Sequence, residues 1–82
     1  GLGDVYKRQV IDGLGGKENI LSVDNCFTRL RVNIKDPAKL DEAAINKLPN
    51  SGIVKKGTDI QIVYGLQVAD IKRAVEAQLE NQ

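Results

Sequence analysis

The chain has 82 residues, enough for one domain with a modest core under a single sheet. Twelve basic residues against eleven acidic leave a net charge of +1, which argues against a nucleic-acid binder with its marked basic excess. There is no histidine and one cysteine, Cys26, so an internal disulfide, a histidine-assisted nucleophile and a structural zinc site are excluded, and the free thiol points to a reducing compartment, the cytoplasm.

No apolar run approaches the length of about 18 residues that a membrane span needs, and no apolar h-region opens the chain. With no methionine present, the first residue is not a translation start. Residues 1–9 are set apart as a linker leading into the first helix, and residues 10–82 as a single domain. Tyr6, Val10 and Leu14 recur at helical spacing and predict a helix over 4–14, with Asp4 as its N-cap. "GLGG" at 13–16 stops it, because glycine supplies a left-handed C-terminal conformation; it lacks the lysine and spacing of a phosphate loop.

"NILSVD", 19–24, reads as a strand. "TRLRVNI", 28–34, alternates: Thr28, Leu30, Val32 and Ile34 point one way, and Arg29, Arg31 and Asn33 the other. A short loop around Cys26 joins the two as a hairpin, with Asp24 as a turn residue. Asp41 is the N-cap of a helix to about Leu48, with Leu40 and Ile45 at hydrophobic-staple spacing and "PNSG" as the stop. Residues 52–65 form a second hairpin turning at Lys56–Gly57, in which Ile60, Ile62 and Tyr64 share a face opposite Gln61 and Val63. Val68, Ile71, Val75 and Leu79 stripe a C-terminal helix. Two hairpins interleaved with helices predict an α+β fold with a mostly antiparallel sheet, one face covered by helices and the other wet. By parity Leu30, Val32, Ile34, Ile60, Ile62 and Tyr64 fall on the covered face, and Arg29, Arg31 and Gln61 on the wet one.

The chemistry concentrates in "VDNCFTRLR", 23–31. A lone cysteine is most often a core filler, but this one stands in an accessible turn beside two permanent cations, which favour its thiolate. Arg29 and Arg31 are two residues apart on a strand, roughly 6.5 Å between α-carbons, so both can lean toward one anion. Their planar forks suit phosphate oxygens. Turn amides and the Thr28 hydroxyl can complete an anion cradle. These parts suit a thiol that holds a phosphoryl group.

The chain resembles the B domain (EIIB) of bacterial phosphotransferase-system sugar permeases of the glucose and glucoside superfamily. The resemblance runs from about Val10 to about Glu80. It rests on "LGGKENI" at 14–20, "VDNCFTRLRV" at 23–32, "DEAAI" at 41–45, "SGIVKKG" at 51–57 and "IQIVYG" at 60–65. It implies a four-stranded antiparallel sheet of two hairpins with three helices covering one face. It also implies a phosphotransferase component in which the cysteine takes a phosphoryl group from a histidine of the A domain (EIIA). The group then passes to a sugar bound in the membrane-embedded C domain (EIIC), at the inner face of the cell membrane. Carried over by position, Cys26 would be the phosphocysteine, with Thr28, Arg29, Arg31 and Gln61 around the phosphoryl group. The scheme needs no metal and no cofactor, and it explains the absence of histidine, because a thiolate attacks without a general base. The residues around Cys26 are closest to the glucose, maltose and N-acetylglucosamine branch; Phe27 departs from the smaller apolar residues common at its position. A redox-sensing thiol domain is the alternative, weakened by the lack of a resolving cysteine. An RNA-binding α+β module is a third reading, weakened by the shortage of aromatic residues for base stacking.

Overall fold

The computed structural model describes residues 1–80; positions 81–82 of the expected domain lie outside the described residues. Helix α1 spans Leu2–Gly13, strands β1 and β2 Ile20–Asn25 and Arg29–Ile34, and helix α2 Glu42–Ile45. Strands β3 and β4 span Ile53–Lys56 and Asp59–Val63, and helix α3 spans Val68–Glu80. The four strands form one antiparallel sheet in the order β1-β2-β4-β3, so β2 and β4 are central and join the two hairpins.

The alternation of the central strands holds from Arg29 to Ile34 and from Asp59 to Val63. Leu30, Val32, Ile34, Ile60, Ile62 and Tyr64 are buried, packed with Val10, Leu14, Ile45, Val68, Ile71 and Val75 from the helices. Arg29 and Arg31 are exposed and Gln61 is half-buried on the opposite face. Thr28 does not join this alternation. It stands in the turn before β2, and its carbonyl accepts from the amides of Tyr64 (2.8 Å) and Gly65 (2.9 Å) beyond the end of β4.

Helix α1 begins at Leu2, two residues before the expected cap. Asp4 therefore lies within its first turn, where a carboxylate is favoured by the unpaired amides of the helix start, and it pairs with Lys7 at 3.3 Å. At the other end Gly15 adopts φ +99°, and the Gly16 amide reaches back to the Ile11 carbonyl at 2.9 Å, the left-handed stop expected of "GLGG". Helix α2 is shorter than expected. Asp41 caps it, its Oδ1 accepting from the Ala44 amide at 3.2 Å. Beyond Ile45, however, the chain tightens into i+3 bonds, Lys47 to Ala44 and Leu48 to Ile45. Pro49 then disfavours helical backbone at Leu48 and closes the segment.

Asn19, expected to open the first strand, is a buried tie. Its Nδ2 donates to the carbonyls of Leu14 (2.7 Å) and Asp36 (3.1 Å), and its Oδ1 accepts from the Asp36 amide (2.9 Å). One side chain thus fastens the end of α1 to the end of β2, with every polar atom satisfied.

Tyr6 of α1 meets Tyr64 edge to face, ring centroids 5.2 Å apart. Burial pushes the Tyr64 phenol above its ordinary value of 10.0, and the neighbouring Tyr6 adds to the shift. A group that holds its proton more tightly when folded stabilises the fold below its unfolded pKa and loses that contribution as pH rises past it. The melting temperature should therefore begin to fall as pH rises past about 10 and go on falling toward the raised folded value. Thermal scans of wild type and Tyr64→Phe check this, since the variant should lose that part of the decline.

Candidate functional site

Cys26 lies between β1 and β2, its side chain exposed. Its amide donates to the Arg29 carbonyl at 3.0 Å, and its Sγ stands 3.8 Å from the same oxygen. The thiol pKa is lowered. Hydrogen bonding with the Arg29 backbone is the largest cause; partial desolvation opposes it, and the Thr28 backbone and the guanidiniums of Arg31 and Arg29 add to the lowering. Sequence reasoning placed the arginines first; the backbone of the turn does more.

The two arginines are held differently. Arg29 Nη1 donates to Gln61 Oε1 at 2.9 Å across the β2–β4 pairing. Arg31 is paired in register with Asp24 on β1 and Gln61 on β4, yet among the described residues it makes no ion pair. Its guanidinium is free to close on an anion. Arg29, Arg31 and Gln61 adjoin on the wet face, and Cys26 and Thr28 stand in the turn at the start of β2. Gln61 touches the site through Arg29.

Two features escaped the sequence reading. Phe27 (92% exposed) and Leu66 (85% exposed) flank the thiol and rim an open hollow of about 500 Å³ that Asn25, Cys26, Val68 and Ala69 also line. An aromatic in a turn carries no pattern that reveals its exposure. Asn25 donates through Nδ2 to the Cys26 carbonyl at 3.0 Å, and its amide donates to Asp24 Oδ1 at 2.8 Å. Asparagine's habit of bonding nearby backbone was the available signal.

Fold and site together define a small α+β domain that presents one activated thiol beside two guanidiniums. The family described as phosphotransferase system, EIIB, matches residues 8–41. The N-acetylglucosamine-specific EIIB component of Streptomyces coelicolor is 41% identical over 68 residues, covering 83% of this chain and 88% of that protein. The chain belongs to the EIIB family of the phosphotransferase system. It is also 43% identical over 72 residues to the alpha-glucoside-specific EIICB component of Leptotrichia buccalis. Against the N-acetylglucosamine-specific EIICB component of Bacillus subtilis the identity is 44% over 66 residues. These matches cover 87% and 79% of this chain, which spans only 14% and 15% of the two proteins. The crystal structure of one domain of the phosphotransferase-system IIabc component from Clostridium difficile superposes with a TM-score of 0.75 at 26% identity, covering 98% of this chain and 81% of that one. Among the described residues no helix is long and apolar enough to cross a membrane.

Proposed function

We propose that this domain is a phosphoryl carrier: Cys26 accepts the group from a histidine of an EIIA domain and passes it to a sugar held by an EIIC domain on the cytoplasmic side of the membrane. The observation that carries the reading is an exposed thiol of lowered pKa in a turn whose strand presents Arg29 and Arg31 on the same open face. The thiolate attacks phosphorus, the S–P bond forms, and the P–N bond of the phosphohistidine breaks with its electrons returning to the imidazole. In the second step a sugar hydroxyl oxygen attacks, the S–P bond breaks, the thiolate is regenerated and the hydroxyl proton leaves to the acceptor's side. Phosphoryl transfer is mostly positioning and charge stabilisation, which guanidinium forks and turn amides supply. Arg29, Arg31 and Thr28 surround the phosphoryl group, and Gln61 holds Arg29 in place. The EIIC partner is supported by relatives that are EIICB components, and a sugar substrate by their alpha-glucoside and N-acetylglucosamine specificities.

Intact-mass measurement after incubation with a phosphorylated EIIA domain is the test. One added phosphoryl group, absent from Cys26→Ala, is the expected result. A group that still appears on the alanine variant places the chemistry elsewhere.

A further inference from the structure

The turn that carries Cys26 is closed by backbone on one side only. Its amide donates to the Arg29 carbonyl at 3.0 Å. In a two-residue hairpin turn the return bond runs from the second strand's amide, here Arg29, to the carbonyl of the residue before the turn, here Cys26. Among the described residues that return bond is not made. The Cys26 carbonyl accepts instead from Asn25 Nδ2, at 3.0 Å. Asn25 is itself fixed twice, by pairing with Leu30 across the hairpin and by the bond from its amide to Asp24 Oδ1 at 2.8 Å.

We infer that Asn25 is a positioning residue for phosphoryl transfer at Cys26: it occupies the Cys26 carbonyl, leaves the Arg29 amide free to face the sulfur, and is held in that role by Asp24. The inference rests on the reading of Cys26 as the phosphoryl carrier. An amide N–H aimed at sulfur favours the anion, so it eases formation of the attacking thiolate. It acts again when the S–P bond breaks toward the sugar oxygen and the electron pair returns to sulfur. The thiol, when protonated, lies 3.8 Å from the Arg29 carbonyl oxygen; the lowering of its pKa, with the Arg29 backbone the largest cause, is what an amide turned to the thiolate would give.

The test uses Asn25→Ala and the similarly sized Asn25→Leu, neither of which can donate, with Asp24→Ala and Asp24→Asn, the latter keeping the acceptor. Two quantities are measured: the rate of Cys26 alkylation by iodoacetamide against pH, and the rate of phosphoryl uptake from a phosphorylated EIIA domain. Both Asn25 variants should move the alkylation midpoint upward. A bond to an ion lost from sulfur removes about tenfold of the thiolate, and the more basic thiolate regains part of the rate, leaving alkylation near neutral pH roughly threefold slower. Phosphoryl uptake should slow in the same two variants while their melting temperatures stay within a few degrees of wild type. Asp24→Ala should move the midpoint the same way and Asp24→Asn should restore it. Wild-type midpoints in both Asn25 variants overturn the inference, and an Asp24→Asn shift as large as that of Asp24→Ala overturns the part given to Asp24. Alkylation needs no phosphoryl donor, so a wild-type chain that takes up no phosphoryl group overturns the carrier reading separately.

Discussion

Arg31→Ala should fold as well as the wild type and take up a phosphoryl group about a hundredfold more slowly. Arg31 is exposed on the wet face and among the described residues makes no ion pair, so truncation removes no core packing; the stability change should stay below about 1 kcal/mol. The phosphoryl group brings close to two negative charges near neutral pH, and a lost guanidinium leaves that charge without one of its donors. Arg29→Ala should be similar in direction and should also release Gln61. Lysine at either position keeps the charge but loses the fork, so it should rescue only partly. Urea unfolding and the uptake time course, run on the same preparations, separate the two effects. Wild-type uptake in both alanine variants would reduce the arginines to ordinary surface charge.

Ile62→Ala should do the opposite, costing about 3 kcal/mol of stability. Ile62 is fully buried on a central strand, in register with Leu30 on one side and Ile53 on the other. Its neighbours on both sides constrain collapse, so the lost side chain leaves a cavity as well as a lost transfer term. In a domain of this size that is a large share of the whole, with a fall in melting temperature of roughly 15 °C. Gln61→Ala, one residue away on the other face, should shift it by only a few degrees. Thermal scans of the pair test the strand register directly, because a slip by one residue would exchange the two results.

The register was legible because side chains on a strand alternate, and β2 and β4 place branched apolar residues at every second position. Cys26, Arg29 and Arg31 were legible as a candidate site because three chemically distinctive side chains sit within six positions. The strand order was not: β2 and β4 alternate where β1 and β3 do not, but alternation alone does not say which strands pair. The run "DEAAI" is capped and helical as read, but the tightening of residues 46–48 into i+3 bonds carries no residue pattern that marks it. The ranking of influences on the thiol was out of reach for a different reason. Backbone amides carry no residue identity, so their direction is set by how the turn closes, and that closure depends on where Asn25 and Asp24 send their hydrogen bonds.

The β2–β4 seam also bears on the order in which the sheet assembles. Each hairpin is a local structure that can form from neighbouring residues, whereas the seam joins positions such as Arg29 and Gln61, 32 residues apart. Loop closure of that length comes before its contacts can repay it, so such pairings form late. A chain with only its first hairpin assembled would display Cys26 and both arginines but would leave Arg29 unanchored. On the proposed carrier reading, readiness to handle a phosphoryl group would arrive with completion of the sheet, because only then is Arg29 anchored beside the thiol.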